Sequence, residues 1–310
     1  MKKLFILFLL IINILGCSSI EYGPDWMDHP DVQDPSLTDP DFLVSTRNIP
    51  EDQKDFSMPV YICVHGYAAS TYAWWEFRAY AEANSNVLVS LVLLGGHGRS
   101  LVEFKESKWE DWGKPIMDEY HALVEMGYTN VSLAGSSTGA TLILEALGSG
   151  KFEGLIPPNE IVLIDPFIVP ADGKLKHVIF FSKFIKYSTD KSRTEEEKLH
   201  WYTNRPAETL IELKEIADIV RLMLENDGII LPSDTEMTTY KVLDDIKADP
   251  SGTQYIENGV HDSSGRNTEI QMLESDKHVF TRGNARDEWS DADRELQLKV
   301  FNEMIEKVME

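Results

Sequence analysis

The stretch Val131-Ser132-Leu133-Ala134-Gly135-Ser136-Ser137-Thr138-Gly139-Ala140 predicts a short buried strand, a tight turn and the start of a helix. Inside it stands G-x-S-x-G, as Gly135-Ser136-Ser137-Thr138-Gly139. The pattern has a mechanical reason. A serine at the tip of a sharp strand-to-helix turn needs small neighbours, because bulky side chains two residues to either side would collide. The helix expected from Ala140 to Leu147 points its N-terminus at that serine, where partial positive charge favours developing negative charge.

Outward from this corner the chain alternates apolar runs with helical patterns. Val60-Tyr61-Ile62-Cys63-Val64 reads as a central parallel strand that stops at His65-Gly66-Tyr67, and Val87 to Leu94 as another that stops at Gly95-Gly96-His97-Gly98-Arg99-Ser100. Thr71 to Asn84 is expected to be helical with Thr71 as cap, and Trp109 to Met126 helical with a break or early turn at Pro115. Glu160 to Pro166 is a further strand. This alternation is the signature of an α/β chain with a parallel sheet flanked by helices.

Near Phe167 the alternation stops. Residues 170–232 read as an inserted helical cap without a convincing strand, leaving 57–169 and 233–310 as the core. The cap opens on Lys174 to Lys186, a basic and strongly apolar stretch. It reads either as a lid over an apolar substrate or membrane surface, or, as the commoner arrangement, as a helix packed on its neighbours with lysines outward. Met237 to Leu243 is again a strand, Asp249 to Val260 a helix and Glu269 to Leu273 the last strand. Ser290 to Met309 closes as an amphipathic helix with Leu296, Val300, Met304 and Val308 at helical spacing.

With 310 residues, 43% of them hydrophobic, the chain is long enough for one large domain with an insertion. A net charge of −23 excludes a nucleic-acid binder, since there is no basic surplus to meet phosphates. No dinucleotide or metal-ligand pattern is present, so neither a cofactor nor a metal is expected. Of the two cysteines, Cys63 lies in an apolar run and is expected to be a buried reduced thiol.

The other, Cys17, ends a distinct segment. Met1-Lys2-Lys3, then Leu4 to Leu15, then Gly16-Cys17-Ser18-Ser19 resembles a bacterial lipoprotein signal with its lipobox. The resemblance implies removal of residues 1–16 and an acylated Cys17 carrying diacylglycerol and a palmitate-type chain. It also implies attachment to the cell envelope, inner or outer membrane left open. Residues 17–56, rich in Asp and Pro, are then a tether with an edge strand near Phe42 to Ser45.

His65-Gly66-Tyr67, Gly95-Gly96-His97-Gly98-Arg99-Ser100, the serine turn, and a late acid and histidine together resemble the α/β-hydrolase family, in particular its monoacylglycerol-lipase-like and carboxylesterase members. The resemblance covers roughly residues 57 to 309. It implies Ser137 as nucleophile, His278 as base in the loop after the last strand, and Asp245 as the acid that orients it. Asp244, Asp249 and, at an earlier strand end, Asp165 stay open as alternatives. The backbone amides of Tyr67 and Thr138 would form the oxyanion hole. His65 and His97 are expected in structural hydrogen bonds, and His261 in an exposed loop. The implied function is hydrolysis of carboxylic esters through an acyl-serine, with short-chain or monoacyl lipids as the expected substrates. Amide hydrolysis on the same fold, or a non-catalytic binding role, are the alternatives.

Overall fold

In a computed structural model the structure describes residues 42–173 and 175–309. The signal segment 1–16, Cys17 and the tether up to residue 41 lie outside the described residues. Eleven strands occur among the described residues: β1 (Thr46–Arg47), β2 (Val60–Val64), β3 (Leu88–Val92), β4 (Val131–Ser136), β5 (Glu160–Ile164), β6 (Tyr187–Thr189), β7 (Asn204–Pro206), β8 (Ile229–Ile230), β9 (Glu236–Val242), β10 (Val260–His261) and β11 (Glu269–Leu273). Seven form one sheet in the order β1-β3-β2-β4-β5-β9-β11. Every neighbour is parallel except β1, which runs antiparallel to β3.

Strands β2, β3, β4 and β5 are buried along their whole length. That is why they read as continuous apolar runs rather than alternating ones. Their side chains still divide by the period of two. Val60, Ile62 and Val64 join the core under the helices Trp109–Met126, Thr138–Gly148 and Ala207–Asn226, whereas Tyr61 and Cys63 join the core under Trp75–Asn84 and Asp291–Met309. Strand order reverses between β2 and β4. The crevice at their carboxyl ends is where an open α/β sheet places a ligand.

Several expectations are corrected. The edge strand is Thr46–Arg47, not Phe42 to Ser45. Phe42 and Leu43 are buried instead, and Phe42 packs edge-on against Tyr72 and Trp75, so the expected tether joins the domain from Phe42 onward. The helix cap is Ser70, whose hydroxyl accepts from the Tyr72 amide, and a 3-10 turn Thr71–Trp74 precedes the α-helix. Pro115 makes no break. Its missing N–H would have served the Asp111 carbonyl, and the bare Cα of Gly95 lies against that oxygen, where a Cβ would come within 2.0 Å.

The cap region differs most. It holds an antiparallel pair, β6 with β7, where no strand is expected. Its long last helix, Ala207–Asn226, packs on the sheet-facing core through Leu213, Ile216, Val220 and Leu224. The stretch expected as one amphipathic helix is a 3-10 turn Leu175–His177 and a single helical turn Val178–Phe181. Val178 is buried, while Ile179, Phe180, Phe184 and Ile185 are exposed, so outward lysines over a packed apolar face is not the arrangement found. No helix of the described residues is long and apolar enough to cross a membrane.

Candidate active site

Strand β4 delivers Ser137 to the sheet's carboxyl edge on a strained corner, at φ 52° and ψ −119°. A non-glycine residue there costs on the order of 1–3 kcal/mol and persists only where the surroundings over-determine it. They do so here. The Ser137 amide donates to the Ile164 carbonyl at 2.9 Å, and its carbonyl accepts from Phe167 N at 3.3 Å. The glycines of the motif are required by space. A Cβ on Gly135 would lie 2.7 Å from Ala140 backbone atoms, and one on Gly139 would lie 2.5 Å from the carbonyl oxygens of Val64 and His65.

His278 follows β11, and Asp245 follows β9. The Ser137 hydroxyl lies 3.1 Å from His278 Nε2, and His278 Nδ1 lies 2.7 Å from Asp245 Oδ2. An ionised Asp245 can only accept, so Nδ1 carries the proton and Nε2 presents its lone pair to the hydroxyl. The other Asp245 oxygen accepts the amides of Lys247 at 2.8 Å and Ala248 at 3.0 Å. Burial by itself would raise this carboxyl. The bond to His278 and the charge of Lys241 outweigh it and hold the group well below the usual carboxylate range. Asp244 is exposed, and Asp249 makes the next turn, accepting from Ser251 N.

Asp165 lies beside this group but bonds differently. One oxygen accepts from Val242 N at 2.9 Å and from the Lys241 ammonium at 3.2 Å, and the other accepts from Val279 N at 2.8 Å. Val279 itself sits at φ 56°, an uncommon place for a β-branched residue. Arg286 donates to the carbonyls of His278 and Val279, so the histidine turn is held on both its N–H and C=O sides.

Lys241 was not singled out by sequence, yet it is 1% exposed and its ammonium bridges Asp165 and Asp245. The available signal was a lysine inside an apolar strand with buried neighbours. Asp165, Asp245 and His278 each offer one ligand atom within 4.8 Å. The Lys241 ammonium already occupies the cation position between the two carboxylates.

The Tyr67 and Thr138 amides flank the serine. The Gly66-Tyr67 turn backs on it so closely that a Gly66 Cβ would lie 3.0 Å from Ser137 Cβ, and Thr138 begins the helix Thr138–Gly148. Neither amide donates to a protein acceptor among the described residues. His65 and His97 are buried structural pins. His65 accepts from Leu94 N and donates to the Gly66 carbonyl; His97 accepts from Ala68 N and donates to the Gly95 carbonyl. Burial lowers His65 to about 4 and, with repulsion from His65, pushes His97 well down, so both rings stay neutral. His261 is half-buried in β10 rather than in an exposed loop. Cys63 is free and buried, and burial raises its thiol.

A cavity of about 670 Å³ opens onto Ser137 and His278. Gly66, Tyr67 and Thr138 line it from the sheet edge. Residues between Phe167 and Leu213 line it from the cap side, including Trp201, Arg193 and Arg205.

No family model matches the chain. A carboxylesterase from Bacillus subtilis (strain 168) is 29% identical over 125 residues, 40% of this chain and 50% of that protein, so the chain spans about half the length of that curated relative. Among solved structures, one reported under the metagenome-derived lipolytic enzymes LipS and LipT superposes with TM-score 0.64 at 19% identity, over 86% of this chain and 98% of that one. A soluble variant of monoglyceride lipase from Saccharomyces cerevisiae, in complex with a substrate analogue, gives TM-score 0.64 at 11% identity, over 85% and 90%. The expected architecture is therefore found: the chain has the α/β-hydrolase fold.

Proposed function

We propose that the protein is a serine hydrolase of carboxylic esters, with Ser137 as nucleophile, His278 as general base and Asp245 as the acid that holds the imidazole. The observation that carries this is the chain of contacts Ser137 Oγ–His278 Nε2–Asp245 Oδ2, at 3.1 and 2.7 Å, at the mouth of a cavity. Ser137 Oγ attacks the ester carbonyl carbon while its proton passes to His278 Nε2. The carbonyl oxygen gains charge against the Tyr67 and Thr138 amides, which are stronger donors in a water-poor site than in bulk. Collapse expels the alcohol, which takes the proton from Nε2, and leaves an acyl-Ser137. Water, deprotonated by the same nitrogen, then releases the acid and restores the hydroxyl.

Monoacyl lipids are the proposed substrates, supported by the largely apolar cavity and by the names of the relatives above. Attachment to a bacterial envelope membrane through acylated Cys17 is likewise a proposal, supported by Leu15-Gly16-Cys17 behind an apolar segment. A fluorophosphonate probe tests the nucleophile: it labels the wild type and not Ser137→Ala, and equal labelling removes Ser137 from the role. p-Nitrophenyl esters of graded chain length, beside aminopeptidase substrates, test the reaction class; preference for the peptides overturns ester hydrolysis. Incorporation of a clickable palmitate in the wild type but not in Cys17→Ser tests the anchor.

A further inference from the structure

The wall of the same cavity holds an arrangement that ester hydrolysis does not use. Arg193, Arg205 and Arg282 all line it, with side chains 7%, 21% and 12% exposed. They share two carboxylates. Arg205 Nη2 bonds Asp190, Arg282 Nη1 bonds Glu197 at 2.5 Å, and Arg193 Nη1 lies 3.3 Å from Glu197. Charged groups at the rim are Lys247, 3.8 Å from Asp190, and the exposed Asp172. Three arginines over two carboxylates leave a positive surplus inside, in a chain whose net charge is −23.

Each arginine uses one terminal nitrogen on these carboxylates. Among the described residues, Arg193 Nε and Arg205 Nε are buried without a hydrogen-bond partner. Trp201 lies under the guanidinium of Arg282 at 4.5 Å and of Arg193 at 5.8 Å, which fixes their planes. Burial, then repulsion from Arg205 and Arg282, brings Arg193 down to about 10, so these charges face one another at a cost that a bound anion would relieve.

We propose that this wall is an oxyanion subsite, and that the substrate is an ester carrying a carboxylate or phosphate away from the scissile bond. Guanidinium forks suit the paired oxygens of such a group. The inference rests on the hydrolase reading for the reacting end and adds the chemistry of the far end. Negative substrates would approach an acidic protein and then meet a cationic interior, so selection would occur inside the cavity rather than at encounter.

The test compares kcat/KM for mono-p-nitrophenyl glutarate with p-nitrophenyl valerate, which share chain length and differ in the terminal carboxylate. A second arm compares 1-butyrylglycerol 3-phosphate with 1-butyrylglycerol and tells phosphate from carboxylate. A preference of about 10- to 100-fold for the anionic member of either pair, weakening with salt, upholds the subsite. Parity or preference for the neutral member in both arms overturns it while leaving ester hydrolysis intact. Arg193→Gln and Arg282→Gln each bring the anionic-to-neutral ratio down about tenfold, and an unchanged ratio in both overturns the assignment. These variants also break contacts to Glu197, so Ser137→Ala provides a second reading. Titrated calorimetrically, it binds monoethyl glutarate at least tenfold tighter than ethyl valerate; equal affinities overturn the subsite even if no ester is hydrolysed.

Discussion

Lys241→Met keeps the length of a buried side chain and removes its charge. The wild-type ammonium touches Asp245 and lies 3.2 Å from Asp165, in a side chain 1% exposed. Asp245 holds His278 Nδ1 at 2.7 Å. Burial raises the Asp245 carboxyl, and the bond to His278 together with the Lys241 charge outweighs it and holds the group well below the usual carboxylate range. Without the ammonium, Asp245 takes up a proton at higher pH and stops accepting from His278 Nδ1. The acidic limb of the kcat/KM profile for p-nitrophenyl valerate therefore moves upward. Two buried carboxylates that lose their shared cation also cost the fold about 3–5 kcal/mol, roughly a 10 °C fall in Tm for a domain of this size. The profile is measured at 20 °C on protein whose near-UV circular dichroism matches the wild type. An acidic limb that stays in place in the folded variant refutes this role for Lys241.

Three other perturbations follow from the site. Gly139→Ala would gain helix propensity in the open, but its Cβ would stand 2.5 Å from two backbone oxygens; the net effect is a loss of about 3 kcal/mol, seen as a lower Tm together with lost activity, and a raised Tm contradicts it. Asp245→Asn leaves the carbonyl that Lys247 and Ala248 bond but favours the wrong histidine tautomer. kcat falls on the order of 10³- to 10⁴-fold with the far-ultraviolet spectrum unchanged, and near-wild-type kcat moves the acid elsewhere. His65, lowered to about 4 by burial, contributes stability that is full above the unfolded value of about 6.5 and is lost as pH falls toward 4. The stability advantage of the wild type over His65→Gln should shrink by about 3 kcal/mol across that window in urea melts; a constant difference would contradict a buried neutral ring.

The alternating apolar runs made the sheet legible, because parallel strands buried on both faces leave a one-dimensional mark. The serine corner was legible because Gly135 and Gly139 answer a purely local steric demand. The cap was not legible in the same way. Its pair β6 and β7 is only three residues a side and joins segments 15 residues apart, too short for periodicity to register. The helix Ala207–Asn226 reads as part of the cap because its amphipathic pattern says that one face is buried but not against what. Asp165 is a candidate acid in the sequence because it ends a strand; its bonds to Val242 N and Val279 N depend on which strands become neighbours, which a linear reading does not contain.

That last point bears on how three distant side chains hold hydrogen-bond distances. Ser137, Asp245 and His278 follow β4, β9 and β11, and β5 lies between the first two. Asp165, at the end of β5, fastens Val242 at the end of β9 and Val279 beside the histidine, while Lys241 ties its carboxylate to that of Asp245. Register and chemistry are thereby coupled. A one-residue slip of β9 would turn Lys241 to the opposite face and leave both carboxylates buried without their cation. The charged cluster thus penalises the wrong register of a strand whose partly polar faces specify it weakly. It also explains a lysine in a position that hydrophobic pattern alone would give to valine or isoleucine.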